Sequence, residues 1–281
     1  MNHFESSYTT HDGKKLYLQA WMPENPKASL LLVHGLGEHS GRYAAFASKL
    51  AKAGIAVFTF DGRGHGKSAE SGVNTYFESA EDYLKDIEVL FGKGKNYIPG
   101  KPAFILGHSM GGGMVAALVL KTNLDVDGVI LSSPAIQEAD GTPKLLIAVG
   151  NLISKLAPKL KVLKLDIEGI SRIPEEVKKY REDPLVYQEN VPARTGAEVL
   201  GLMKYVQENA SQFNRPLLVI HGDADRLTNP KGSKLLFEKA SSQDKTLKIF
   251  PGGYHELLND LDREAAADLI LNWILGRIPK S

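Results

Sequence analysis

Short apolar runs separated by amphipathic stretches recur along the chain. Lys14 to Met22 alternates apolar and polar positions as a half-buried strand does, and Ala28 to Val33 and Ile55 to Phe60 read as short, buried strands. Arg42 to Lys52, between those two, carries a helical period. A helix at Ser79 to Phe91, a strand at Ala103 to Leu106, a helix at Met110 to Lys121 and a strand at Gly128 to Leu131 follow. Such alternation implies a parallel sheet covered on both faces, because each parallel crossover needs about the length of a helix. The rhythm breaks at Pro134, and until Arg215 the segments are helical, lysine-rich and punctuated by proline, with no clear buried strand. It resumes with a strand at Leu217 to Ile220, a helix at Lys231 to Ala240, a strand at Leu247 to Phe250 and an amphipathic helix at Asp260 to Leu275. The pattern predicts an α/β fold: a mostly parallel sheet of about eight strands flanked by helices, built from residues 1–134 and 215–281 and interrupted by an insertion over 135–214.

Composition narrows the chemistry. The chain has 281 residues, 43% of them hydrophobic, which is ample for a buried core. Its 34 basic and 33 acidic residues are spread along the chain, with no footprint for nucleic acid or a strongly acidic partner. Without cysteine there are no disulfides, thiolate metal sites or cysteine nucleophiles. Met1 to Thr10 is polar, unlike a secretory signal, and no apolar run reaches the roughly 18 residues that span a bilayer. The expectation is a soluble, cytoplasmic protein, at most peripheral at membranes.

Gly107-His108-Ser109-Met110-Gly111 joins a predicted strand to a predicted helix. A serine on so sharp a turn adopts a strained backbone and stands above the sheet edge, and only glycine-sized residues fit two positions either side. Ser109 is thus the candidate nucleophile. A serine hydroxyl needs a base and a group to orient it. Asp225, just past the strand at Leu217 to Ile220, is the candidate acid, with Asp223 competing; His255, past the next strand, completes the order serine, acid, histidine. A lone aspartate after a strand is ordinarily a turn residue and a lone histidine a satisfied loop group, so the joint order carries the assignment. His34, His39, His65, His108 and His221 lack that order. The oxyanion needs backbone donors, for which the amides of Met110, at a helix start, and Leu36, in His34-Gly35-Leu36-Gly37, are candidates.

Other glycine-rich stretches do not fit nucleotides. Asp61 to Ser68 ends like a phosphate loop but has Asp61 where the first glycine belongs, and Gly111 to Ala116 lacks the acidic residue that a dinucleotide fingerprint needs after the following strand. No histidines and carboxylates have metal-ligand spacing, so no cofactor and no metal are predicted.

Together, His34 to Tyr43, Asp61 to Ser68, Gly107 to Gly112, Asp223 to Leu227 and Ser242 to Lys248 give a sequence that resembles the α/β-hydrolase fold, and within it the monoacylglycerol lipases and related lysophospholipases. The resemblance spans nearly the whole chain outside the insertion. It implies a serine hydrolase cleaving monoacylglycerols to fatty acid and glycerol, with Ser109, Asp225 and His255 as triad and Leu36 and Met110 as oxyanion hole. Lysophospholipase and general carboxylesterase are its neighbours, and a non-catalytic binder of an apolar ligand is the alternative of another class. The resemblance makes residues 135–214 a helical cap over an apolar acyl site, and places Glu38, Arg42 and Tyr180 at the glycerol end. Leu145 to Leu156, with lysines at 144, 155, 159, 161 and 164, fits an interfacial helix touching a membrane or a cap helix packed on the core. Two positions depart from the animal enzymes: Leu258 replaces a second histidine three residues after His255, and Thr228 replaces a cysteine.

Overall fold

The computed structural model describes residues 1–138 and 152–279. Eight strands form one sheet: β1 (Asn2–Thr9), β2 (Lys15–Met22), β3 (Ala28–Val33), β4 (Ile55–Phe60), β5 (Ala103–His108), β6 (Gly128–Ser132), β9 (Leu217–Gly222) and β10 (Lys245–Phe250). Their spatial order is β1-β2-β4-β3-β5-β6-β9-β10. From β4 to β10 every pairing is parallel; β1 and β2 attach antiparallel at one edge.

The central strands are apolar at every position because both faces are covered. In β3, Leu31 and Val33 join one core cluster, while Leu30 and Leu32 join the other. In β5, Ile105 and Phe104 divide in the same way. The first cluster takes residues from helices α2 (Ala80–Tyr97), α3 (Met110–Thr122), α5 (Ala193–Asn209) and α6 (Pro230–Lys239), the second from α1 (Ala44–Lys52) and α7 (Arg263–Leu275). Ser79 accepts a hydrogen bond from the Glu81 amide and so caps α2, which runs six residues beyond the predicted Phe91.

β6 pairs directly with β9, so the sheet is continuous across the intervening chain. That stretch carries α4 (Pro174–Glu182), α5 and a small antiparallel pair, β7 (Lys161–Leu163) with β8 (Val191–Pro192). β7 is exposed throughout, and β8 is two residues long. The stretch is tied to the sheet's C-terminal edge: Tyr187 N–H donates to Gly37 O at 2.8 Å, Glu256 N–H to Ile170 O at 2.8 Å and the Arg172 Nε–H to Asp260 at 2.8 Å. Of the expected helix at Leu145 to Leu156, residues 145–151 lie outside the described residues; 152–156 are helical.

Candidate active site

Five loops leaving the C-terminal ends of parallel strands meet at one edge, where open α/β sheets bind their ligands. The loop after β5 turns sharply. Ser109 has φ 52° and ψ −119°, in the left-handed half of backbone space that a residue with a side chain rarely adopts. Its neighbours explain the spacing of the pentapeptide. A Cβ on Gly107 would lie 2.4 Å from Gly111 O, and one on Gly111 would lie 2.4 Å from Val33 O and 2.5 Å from His34 O. Every one of those obstacles is backbone. Met110, at the first position of α3, has an N–H without an intrahelical acceptor.

Ser109, His255, Leu36, Met110, Glu38 and Tyr180 line one pocket; Asp225 bonds His255 with its side chain fully buried, and Arg42 bonds Glu38 outside that lining. His255 Nδ1–H donates to Asp225 Oδ2 at 2.7 Å. Asp223, the competing acid, instead accepts from Gly252 N–H. Burial pushes the Asp225 carboxyl upward, but the neighbouring His255 and His221 outweigh it and hold it well below the ordinary range. For His255, burial disfavours the charged ring, yet the Asp225 carboxylate prevails and raises its pKa above the usual value.

The loop after β3 is cinched by its own glutamate: Glu38 Oε1 accepts from Gly35 N–H at 2.7 Å and from Tyr43 Oη–H at 2.6 Å. The Arg42 guanidinium donates to Glu38 Oε2 at 3.0 Å and lies 4.5 Å from the Tyr180 ring centroid. Burial opposes ionisation of Glu38, but the Arg42 charge keeps its pKa low.

Three side chains gain a place that spacing alone did not give them. His221, at the end of β9, directs Nε2–H to Asp225 Oδ2 at 3.0 Å while its Nδ1 accepts from Ser233 Oγ at 2.7 Å; an ionised carboxylate only accepts, which fixes this tautomer. The His108 ring centroid is 4.8 Å from that of His255, and burial with the nearby His255 charge lowers its pKa to about 4. Glu256, next to the candidate base, takes both Arg42 Nη atoms, at 2.6 and 2.7 Å. His34 and His65 bond to backbone groups beneath the site, and His39 Nε2 meets Asp183 at 2.9 Å. Among the described residues, no cluster of three or more His, Asp or Glu is placed to hold a metal ion, and no helix is long and apolar enough to cross a membrane.

A serine on a positive-φ turn, a histidine–aspartate pair in the loops after later strands and a doubly wound sheet define a serine hydrolase of the α/β-hydrolase fold. A family model described as serine aminopeptidase, S33, matches residues 24–262, and the chain belongs to that family, together with the monoacylglycerol lipases. It is 36% identical to a monoacylglycerol lipase of Mycolicibacterium smegmatis over 98% of both chains. With the human monoglyceride lipase it shares 36% identity over 89% of this chain and 82% of that one. The crystal structure of Paleococcus ferrophilus monoacylglycerol lipase superposes with a TM-score of 0.83 at 34% identity, covering 93% of this chain and 99% of that one.

Proposed function

We propose that the chain hydrolyses the ester bond of monoacylglycerols through an acyl-enzyme. The observation that carries this reading is a pocket that lines one serine with both apolar and carboxylate side chains. Leu36, Leu163, Leu165, Val199, Met203 and Leu227 supply an apolar lining fit for an acyl chain, and Glu38, Tyr180 and Glu256 supply polar groups fit for an alcohol. The pocket volume is about 120 Å³, below the several hundred typical of a ligand pocket, so a long acyl chain would reach beyond the residues that line it.

In this reading Ser109 attacks the carbonyl while His255 takes its proton, oriented by Asp225 and through it by His221. The amides of Leu36 and Met110 receive the oxyanion, and His255 then protonates the departing glycerol. Water attacks the acyl-enzyme on the same base and frees the fatty acid.

Residues 135–214 act as a cap on the core formed by 1–134 and 215–281. Leu152, Leu156 and Leu160 are 58%, 78% and 52% exposed in a lysine-rich stretch, in which Lys161 pairs with Glu189 and Lys159 lies over the Tyr76 ring; exposed apolar side chains among lysines suit peripheral contact with lipid from the cytoplasm.

The test is fatty acid release by the parent and Ser109→Ala from monoacylglycerols, lysophosphatidylcholine and short p-nitrophenyl esters. Serine-dependent preference for monoacylglycerol is expected. Preference for lysophospholipid or short esters moves the substrate, and no serine-dependent release from any refutes the hydrolase reading in favour of a binder.

A further inference from the structure

Glu256 is 5% exposed and lines the pocket together with Glu38, which is 3% exposed. It holds Arg42 by both Nη atoms and also accepts from Asn259 Nδ2 at 3.0 Å. Arg42 is pinned on its other sides by Glu38 and the Tyr180 ring. The guanidinium, the group best shaped to bind a phosphate or carboxylate, is therefore spent on the protein's own carboxylates and lies outside the pocket's lining. Among the described residues, the pocket has no lysine or arginine in its lining. Two carboxylates against one guanidinium leave this end net negative, in a buried place where solvent and salt screen little. Leu258 and Arg42 line a separate groove.

We propose that Glu256 is a specificity-determining residue that restricts the pocket to esters of uncharged alcohols. With Glu38 it sets negative charge against a leaving group bearing phosphate or carboxylate, and by occupying both Nη atoms of Arg42 it withholds the cation that would attract one. The proposal rests on the ester-hydrolase reading of the same site.

The experiment compares kcat/KM for 1-oleoylglycerol, 1-oleoyl-lysophosphatidate and the uncharged dimethyl ester of that phosphate, all in neutral-detergent micelles. A unit charge about 6 Å away at an effective dielectric near 20 changes a rate ratio by roughly a hundredfold. The parent is expected to prefer 1-oleoylglycerol over lysophosphatidate by about that factor and to recover most of the loss with the dimethyl ester, which keeps the bulk and removes the charge. Glu256→Gln should narrow the glycerol-to-phosphate ratio at least tenfold, whereas Arg42→Gln, which loosens the same contact while removing a cation, should not narrow it. Comparable rates on glycerol and phosphate esters, no recovery with the dimethyl ester, an unchanged ratio in Glu256→Gln or equal narrowing in both variants would each overturn the proposal. The parent comparison needs no variant to fold. Failure of the parent to hydrolyse any of the three would overturn the hydrolase reading itself.

Discussion

Replacing His221 by leucine tests how the acid of the triad is held. The Asp225 carboxylate accepts from Leu227 N–H at 2.8 Å and Thr228 N–H at 3.0 Å on Oδ1, and from His255 at 2.7 Å, His221 at 3.0 Å and Thr228 Oγ1 at 3.0 Å on Oδ2. His221→Leu removes one donor to a buried charge, and such a bond contributes about 1.5–3 kcal/mol. The carboxylate then leans more on His255, whose charged form gains stability. One pKa unit corresponds to about 1.4 kcal/mol, so if half of the lost bond is taken up by that pair, the His255 pKa rises by about 0.5–1 unit. Catalysis needs neutral His255, so activity is lost as pH falls through this pKa and the acid limb moves to higher pH. A looser Asp225 also lowers kcat by about tenfold. The assay is kcat/KM for a p-nitrophenyl ester from pH 5 to 9, with His221→Gln as the conservative variant that restores a donor. A folded His221→Leu enzyme with the parent's limb and rate would refute the reasoning.

Asp225→Asn should lower kcat by about 10⁴, whereas Asp223→Asn, whose carboxylate holds only the Gly252 turn among these contacts, should stay within about tenfold of the parent in the same ester assay. Gly111→Ala drives a Cβ to 2.4 Å from the Val33 carbonyl and should cost about 3 kcal/mol, read as a fall in Tm of roughly 5–10 °C by thermal denaturation. Leu156→Asp, at a side chain 78% exposed, should weaken co-sedimentation with anionic vesicles several-fold while leaving hydrolysis of a soluble ester unchanged.

The parallel strands were legible because a sheet covered on both faces is written as continuous apolar runs, and Leu30 to Val33 shows both faces in four consecutive residues. β1 was not legible: Asn2–Thr9 is an exposed edge strand, held by backbone pairing to β2, so its side chains carry no burial pattern. β7 is exposed in the same way, and β8, though buried, is only two residues long, too short to show an alternation. At the site, Ser109 could be read because backbone crowding constrains Gly107 and Gly111, and crowding leaves a mark at fixed spacing. Glu256 and His221 could not, since each acts through a partner brought to it by the fold: Arg42 lies 214 residues from Glu256, and the carboxylate beside His221 is positioned by a turn that no spacing rule describes.

The claim on which the account depends is that Ser109 carries the acyl group. The direct measurement is peptide mass spectrometry of the parent and Ser109→Ala after reaction with a fluorophosphonate, which captures an activated serine at the position of the acyl-enzyme. The account predicts one adduct, on the peptide containing Ser109, absent from Ser109→Ala and suppressed by excess monoacylglycerol. An adduct on another residue, or hydrolysis that persists in Ser109→Ala, would contradict it.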